Sequence, residues 1–242
     1  MWQTVRMVAI RGARERAREE LTHEIKEEAR RQLAVEGPQK LSLRAVAREL
    51  GMASSALYRY FPSRDDLLTA LIIEAYDALG GAVERAAGAV LPRSDTRARW
   101  RAAATTVRAW ARSHPHEYAL LYGTPVPGYS APQETVAPAA RVALVLTGLL
   151  QDTVGRFEIP APVRPLRGPL AEQMAGLAAG VAPGLPPALL ARGIAAWAQL
   201  YGMVSFELFG HFVGSADPAD AFFTHTVEEI ADFLGLPETP ST

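Results

Sequence analysis

The sequence predicts an all-helical protein, and three observations support this fold class. No run among the 242 residues alternates apolar and polar side chains, as a half-buried strand would. Apolar residues recur instead at helical spacing, as in the row Leu21, Ile25, Ala29 and Leu33 within a charged segment. Serines and aspartates stand where the helices would begin, and glycines and prolines where they would end. We therefore expect short capped helices near the N-terminus, followed by a helical bundle.

The first helix follows this apolar row and stops at Glu36–Pro38, because proline lacks the N–H group that a continuing helix needs. A short helix comes next, with Ser42 as its capping residue. Gly51 ends it, since glycine adopts the positive φ that is common just after a helix. The apolar residues of this short helix are Leu43, Val46, Ala47 and Leu50.

A second short helix and a long helix follow. Ser54 is predicted to cap the short one, which extends through Phe61 until Pro62 closes it. Ser63 is predicted to cap the long helix, and Asp66 at the third position completes a variant of the capping box. The apolar row of the long helix comprises Leu67, Leu71, Ala75 and Leu79.

Beyond Gly80 the chain becomes richer in alanine and remains helical. Two proline-containing segments, Tyr122–Pro132 and Gly155–Pro169, are predicted to be extended or kinked connections. The predicted helices lie at about 94–114, 116–122, 133–155, 169–180, 186–212 and 217–234.

Composition narrows the class of protein. The absence of cysteine excludes disulfides, thiolate zinc sites and cysteine nucleophiles, and it fits a reducing cytoplasm. The net charge of −1 divides into +3 for residues 1–66 and −4 for the remainder, which suggests an anionic partner for the N-terminal part. Only 14 uncharged residues separate Arg192 from Glu207, whereas a membrane helix needs about 20. We expect no membrane segment, no cofactor and a cytoplasmic location.

The two short helices and the glycine between them form a helix-turn-helix, which places its second helix in the DNA major groove. The run Tyr58, Arg59 and Tyr60 fits this role, because a core would use the rings without the arginine. With Leu57 and Phe61 facing inward, the outer side holds Ser54, Ser55, Tyr58 and Arg59. Tyrosine hydroxyls can donate to phosphates, and arginine can bind a phosphate or a guanine edge. Ordinary amphipathic packing is the alternative interpretation of these residues.

The segment LSLRAVARELGMASSALYRYFPSRDDLLTALI resembles the N-terminal domain of TetR-family transcriptional regulators. The resemblance covers about residues 20–78 and implies two sets of DNA contacts. Ala56 and Arg64 depart from the residues that are common in the family at their positions. The implied phosphate contacts are Ser42, Tyr58, Tyr60 and Arg64, and the implied residues nearest the bases are Arg44, Ser54, Ser55 and Arg59.

A second resemblance lies downstream, where WARSHPHEYALLYGTPVPGY and WAQLYGMVSFELFGHF are similar to the WHG type of TetR-family C-terminal domain. Trp197 and Gly202 match that pattern, whereas Tyr201 stands at the histidine position. The resemblance implies a pocket for a small-molecule effector, although hydrophobic core is the alternative for most of its aromatic residues. The predicted ligand-binding residues are Trp100, Trp110, His114, Tyr118, Tyr122, Trp197, Tyr201 and Phe206.

Two further patterns have competing interpretations. His114, His116 and Glu117 could hold a metal ion, but they lack a full zinc ligand set, and a capping or pocket role is favoured. The arginine run Arg11–Arg18 is either an arm that reaches a minor groove or a frayed, solvated segment. No sequence signature of a catalytic nucleophile or of a nucleotide-binding loop is present, so no catalytic residue and no metal site are predicted.

These observations predict a DNA-binding domain over residues 10–66 and an effector-binding and dimerisation domain over residues 67–242. The helices at 186–212 and 217–234 carry apolar residues on more than one face, which favours a homodimer. The expected function is a transcriptional repressor that a small, mostly apolar ligand releases from a palindromic operator, and activation stays open. The alternative is a small-molecule carrier or enzyme whose N-terminal helices are only structural.

Overall fold

The computed structural model describes residues 2–154, 156–157 and 164–238, with side chains from residue 14 onward. Within these residues the chain forms ten α-helices and no strand, which confirms the predicted all-helical class. They are α1 (Trp2–Glu36), α2 (Leu43–Glu49), α3 (Ser54–Leu57), α4 (Arg64–Ala89), α5 (Thr96–Ser113), α6 (Pro115–Tyr122), α7 (Val136–Thr153), α8 (Gly168–Val181), α9 (Pro187–Leu208) and α10 (Ala219–Leu234).

The predicted C-terminal helices correspond to α5–α10, with ends displaced by a few residues. Helix α7 starts at Val136 because residues 133–135 form a separate 3₁₀ turn. Helix α9 ends at Leu208 and is followed by a turn that contains Gly210 at a positive φ. The predicted connection Gly155–Pro169 lies partly outside the described residues. Among the helices that the structure does describe, none combines the length and apolar character required to cross a membrane.

The chain divides into two compact units. The first comprises Met1–Ala75 with His116–Thr135, and the second comprises Tyr76–Pro115 with Val136–Thr242. The chain passes from one unit to the other at three points: inside helix α4, after the first residue of helix α6, and between the 3₁₀ turn at residues 133–135 and helix α7. The domain boundary between residues 66 and 67 stays a prediction from the sequence.

The core of the first unit forms where the apolar rows of its helices meet. Ile25 of α1, Val46 of α2, Leu57 of α3 and Leu67 of α4 are fully buried, as their spacing in the sequence predicts. Ion pairs reinforce this core. Arg30 of α1 donates to Glu74 of α4 at 2.5 Å and to Glu117 of α6 at 3.0 Å. One guanidinium thereby links three helices of the unit.

Two of the three predicted helix caps are confirmed. The Ser42 hydroxyl oxygen accepts a hydrogen bond from the Ala45 N–H at 3.4 Å. The Ser63 oxygen accepts from the Asp66 N–H at 3.1 Å, and its hydroxyl donates to the Asp66 carboxylate at 2.7 Å. Gly51 adopts a φ of 65° between the two short helices, as predicted.

The predicted cap at Ser54 is wrong, because Ser54 is already the first residue of α3. The N-cap is Ala53, whose extended backbone follows the glycine turn and whose carbonyl accepts from the Ala56 N–H at 2.8 Å. The helix also ends at Leu57 rather than Phe61. The Tyr60 N–H bonds the Leu57 carbonyl at 2.8 Å, a three-residue spacing that tightens the chain beyond the regular helix.

The second unit packs α5, α7, α9 and α10 around a core that includes Trp100, Leu149, Leu200 and Ile230. Helices α4 and α7 approach closely at Gly80. A Cβ atom at this glycine would lie 2.7 Å from the Cβ of Arg141, so a side chain there would force the two helices apart.

Ion pairs of two arginines connect helices of the second unit. The nearly buried Arg97 of α5, 4% exposed at its side chain, donates to Glu228 at 2.8 Å and to Asp232 at 2.6 Å on α10. Arg141 of α7 donates to Glu84 and to Asp77 of α4, with its Nε 2.8 Å from the Glu84 carboxylate. The hydrogen bond from Arg141 lowers the pKa of Glu84. The Arg141–Glu84 pair is bidentate, a geometry that the planar guanidinium of arginine forms and the ammonium of lysine does not.

Candidate DNA-binding surface and effector cavity

An open groove of about 440 Å³ crosses the surface of the first unit between α2 and the start of α4. Four of the eight predicted DNA-contact residues line it, namely Ser42, Arg44, Tyr58 and Arg64. Its remaining walls are Leu41, Leu43, Pro62 and Ser63. The helix-turn-helix therefore brings residues from two separate segments of the sequence to one surface.

Ser42 and Arg44 hold defined positions on this surface because Ser42 caps α2. The Ser42 oxygen accepts from the Ala45 N–H, which leaves its hydroxyl proton able to donate to a phosphate. Arg44 is the second residue of α2, and its side chain is exposed. A guanidinium at this place can reach outward without disturbing the core.

Tyr58 and Arg59 follow the last residue of α3 and face the solvent. Leu57 is fully buried, whereas Tyr58 is 42% exposed and Arg59 is also exposed. The buried leucine fixes the orientation of the turn, and the tight turn after it directs the next two side chains outward. Ser54 and Ser55 lie in the single turn of α3, with Ser55 the more exposed of the two.

Tyr60 is half-buried, and an arginine of α1 covers its ring. The guanidinium carbon of Arg18 lies 5.5 Å from the centre of the Tyr60 ring, within the range of a cation–π interaction. This contact connects the arginine run to the predicted recognition surface. Residues 14–18 of that run are helical and exposed, so this part of the run is solvated but not frayed, and a contact with a minor groove stays a prediction.

The Arg64 guanidinium forms hydrogen bonds within the protein. It donates to the carbonyl oxygens of Leu41 at 3.2 Å and Pro38 at 2.7 Å, and its Nη1 lies 3.5 Å from the Asp65 carboxylate. The side chain therefore holds the loop that leads into Ser42. A phosphate contact by Arg64 stays a prediction, and the structure adds a positioning role that the sequence did not reveal.

The aromatic residues predicted to bind a ligand have several different environments. Trp100 is buried, and its indole N–H donates to the Val227 carbonyl at 2.8 Å. Trp110 stacks on His114 with ring centres 5.0 Å apart. The Nδ1 of His114 lies 2.8 Å from the Ser113 hydroxyl, and its side chain is exposed.

The remaining predicted residues are divided between the units. Tyr118 and Tyr122 belong to the first unit, with Tyr118 fully buried and the two rings 5.1 Å apart. Trp197 and Tyr201 lie in the second unit with ring centres 5.5 Å apart. Phe206 is 52% exposed on α9. A role of these eight residues in ligand binding stays a prediction.

An apolar cavity of about 60 Å³ lies between α7 and α9 in the second unit. Trp197 is the member of the predicted set that lines it. Its other walls are Ala143, Leu146, Thr147, Leu150, Leu190, Gly193 and Ile194. The one hydroxyl in this lining belongs to Thr147, and it donates to the Ala143 carbonyl of its own helix at 2.7 Å. The cavity thus offers apolar contact and few polar handles.

The α7 wall of this cavity was not predicted from the sequence. Leu146 and Leu150 are four residues apart, and this spacing shows only that they share a helix face. Gly193 is informative in retrospect, because a Cβ there would lie 2.8 Å from the Leu150 side chain. A mid-helix glycine that permits close approach of another helix would be the usable signal.

His114, His116 and Glu117 do not gather a metal site in the structure. Glu117 is paired with Arg30 of α1, and both histidines are exposed. In the part of the chain that is described, no three histidine, aspartate or glutamate side chains cluster as metal ligands would.

Comparison with known families matches both parts of the chain. Residues 25–71 match the family described as "Bacterial regulatory proteins, tetR family". Residues 100–230 match the family described as "Tetracyclin repressor-like, C-terminal domain". The first match contains the groove on the helix-turn-helix, and the second contains the apolar cavity.

Similar proteins share nearly the full length of the chain. HTH-type transcriptional regulators of Mycobacterium tuberculosis and Mycobacterium bovis are 38% identical over 239 residues, which is 93% of this chain and 96% of theirs. The crystal structure of SCO4313 has a TM-score of 0.73 and 32% identity, covering 90% of this chain and 98% of its own.

A more distant structure shares the fold. The TetR family transcriptional regulator PfmR from Thermus thermophilus has a TM-score of 0.55 at 20% identity, over 88% of this chain and 99% of its own. The family match over residues 25–71 and the mycobacterial relatives agree with the helix-turn-helix geometry. The chain belongs to the TetR family of transcriptional regulators.

Proposed function

We propose that this regulator represses transcription by occupying a palindromic operator as a homodimer, and that a small, mostly apolar ligand releases it. The observation that carries the proposal is the groove on the first unit, in which the capped α2 and the turn after α3 present Ser42, Arg44 and Tyr58 together. A hydroxyl and a guanidinium beside a phenol form a surface suited to phosphates and base edges.

One such surface is small. A single helix-turn-helix buries too little area for the affinity that specific regulators require. We therefore expect two DNA-binding domains to bind one operator. A symmetric dimer binds a palindrome, because each protomer contacts the same half-site in the opposite direction.

The last two helices of the second unit supply a candidate dimer surface. On α9, a row of small exposed residues comprises Ala195, Ala198 and Gly202, which would let a second helix approach closely. Phe222 and Phe233 are exposed on α10. Other apolar residues of these helices, Leu189, Leu190, Val227 and Ile230, are buried within their own chain, so only the exposed residues of the two helices are available to a partner.

The ligand chemistry follows from the apolar cavity between α7 and α9. A lining with one internally bonded hydroxyl disfavours a charged or strongly hydrated compound, because its polar groups would lose water without gaining partners. A volume of about 60 Å³ accommodates only part of a drug-sized molecule. A bound effector would therefore widen the cavity and displace α7 relative to α9.

Helix α7 forms one wall of this cavity and is also bonded to α4, because Arg141 of α7 bonds Asp77 and Glu84. Helix α4 begins in the helix-turn-helix unit, at Arg64. A ligand changes operator binding only if it binds one arrangement of the two DNA-binding domains of the dimer better than another. A coupling free energy of about 1–3 kcal/mol would change operator affinity about 5–150-fold.

Selection of an operator from random DNA by the purified protein tests the proposal. We expect a palindromic sequence whose half-sites are about one or two helical turns apart, and release of that DNA by apolar compounds. Enrichment of no sequence would contradict the regulator function and would favour the carrier or enzyme interpretation. Release by multiply charged compounds alone would contradict the apolar effector.

A further inference from the structure

Helix α1 extends beyond the core of the unit to which it belongs. Its 35 residues run from Trp2 to Glu36, whereas its deeply buried residues begin at Ile25. All side chains from Arg14 to Glu20 are exposed. This segment, which we call the α1 overhang (residues 14–20), also precedes the family match that starts at residue 25.

The buried row of α1 continues into the overhang as arginine. Ala29 and Ile25 face the core, and steps of seven and four residues back along the helix lead to Arg18 and Arg14. These steps are about two turns and about one turn, so the four residues share one face. Where the core ends, the inward face of the helix changes from apolar to cationic.

Acidic neighbours do not lie on this row. At about 100° per residue, Glu19 lies about 100–140° from the two arginines. Glu15 lies about 100° from Arg14 but only about 60° from Arg18, at the i, i+3 spacing of helix neighbours. Glu20 and Arg16 lie about 160° from Arg18, on the opposite face. The row itself therefore carries only arginine among residues 14–20, with Glu15 beside Arg18 at its edge and the other two carboxylates further round the helix.

The arginine row lies on the side of the first unit that holds the turn after α3, at residues 58–60. Arg18 lies over the ring of Tyr60, 5.5 Å from its centre, and Tyr60 follows the exposed Tyr58 and Arg59. A guanidinium that stacks on a ring keeps the N–H donors at its edge available, and stacking restricts its orientation. Arg14 is one helical turn further from the core along the same row.

We propose that Arg14 and Arg18 bind backbone phosphates of the DNA that flanks the half-site read by the helix-turn-helix. The inference rests on the proposed operator binding and adds a second contact surface to it. Two guanidiniums one turn apart, about 6 Å along the helix, present paired donors to successive phosphates of one strand. The contact adds affinity without reading sequence, because phosphates are the same at every base pair.

The test compares three substitutions that each remove one positive charge from the same helix: Arg14→Gln, Arg18→Gln and, as the matched control on the opposite face, Arg16→Gln. Binding of the full chain is measured by fluorescence anisotropy at several salt concentrations. The DNA is the selected operator, either with about ten flanking base pairs on each side or trimmed to its half-sites.

On the flanked operator, Arg14→Gln and Arg18→Gln should each weaken binding about tenfold per protomer, the size of one exposed charged hydrogen bond. Each should also reduce the slope of log K against log salt by about 0.9 per protomer. On the trimmed duplex both variants should match the wild type. Arg16→Gln should match it on both duplexes, and Arg18→Lys should retain most of the salt slope because it retains the charge.

Other outcomes overturn the inference. They are an unchanged salt slope for Arg14→Gln, an equal loss for Arg16→Gln, or a loss that persists on the trimmed duplex. If Arg18→Lys loses as much as Arg18→Gln, the effect of Arg18 arises from Tyr60 packing, and the phosphate contact at that residue is refuted. A wild type that binds no operator would refute the regulator function instead, whereas normal wild-type binding with unaffected variants refutes only the overhang contact.

Discussion

Tyr58 is the residue whose role in DNA binding can be tested with the smallest chemical change. Its ring follows the buried Leu57 and is 42% exposed, so Tyr58→Phe removes a hydroxyl without disturbing the core. We expect affinity to fall on every DNA sequence by about 0.5–1.5 kcal/mol, the value of one hydrogen bond. Binding to a library of operator variants should show the same order of preference as the wild type. A changed order would mean that Tyr58 contacts a base.

Arg44 should behave in the opposite way. It is exposed at the start of α2 and lines the same groove as Tyr58. If it contacts a guanine edge, Arg44→Ala should relax preference at one base position per half-site and lose about 1–3 kcal/mol of discrimination there. The same library measures this. A uniform loss across all sequences would instead assign Arg44 to a phosphate.

At the scale of elements, the contact between α4 and α7 depends on Gly80. The Cβ of alanine would lie 2.7 Å from the Cβ of Arg141, so Gly80→Ala should destabilise the protein by about 1–3 kcal/mol through overpacking. Gly148→Ala on α7 is the control, since no atom lies within 4 Å of its Cβ position. Without a clash it should stabilise the helix by about 0.5–1 kcal/mol. Urea denaturation gives both values, and equal effects would contradict the close approach.

The contact between α5 and α10 predicts a pH dependence of stability. The hydrogen bond from Arg101 lowers the pKa of Glu228; burial opposes this, and Arg97 adds to it. A carboxyl group with a lowered pKa in the folded state stabilises the fold above its unfolded pKa, about 4.3. That stabilisation is lost as pH falls through the folded pKa.

Glu228→Gln should accordingly reduce the free energy of unfolding by about 1–3 kcal/mol at pH 7, because the nearly buried Arg97 loses a charged acceptor. The difference from the wild type should shrink as pH falls below about 4. The neighbouring Glu229→Gln, which alters an exposed pair with His225, should change stability by less than about 0.5 kcal/mol at either pH. A difference that stays constant with pH would argue against the ion pair.

Elements whose signals are local were predictable from the sequence. Ser42, Ser63 and Gly51 fixed the ends of α2 and α4 because capping and positive φ depend on neighbouring residues alone. The cap of α3 was misplaced at Ser54 because the backbone after the glycine turn, rather than the residue type, selects Ala53. The cavity was missed because it exists only where α7 and α9 meet at Gly193, and helical spacing carries no information about which helices become neighbours.

At the scale of the whole molecule, the exposed row on α9 predicts the assembly state. Sedimentation velocity at micromolar concentration should show a dimer for the wild type and a monomer for Ala198→Arg, because a long charged side chain prevents close helix approach. Leu91→Arg, at an exposed apolar residue between α4 and α5, should remain dimeric. The monomeric variant should bind the operator far more weakly, since each head then binds alone. A monomeric wild type would remove the basis for a palindromic operator.

The fluorescence of Trp197 can report whether a ligand occupies the apolar cavity between α7 and α9. Its indole is 37% exposed and forms part of the cavity wall, whereas Trp100 is sealed in the core. A ligand that enters the cavity would replace water beside Trp197 and shift its fluorescence emission towards shorter wavelengths. Comparison with Trp197→Phe isolates this signal, so effector candidates can be screened optically, without DNA and without a label.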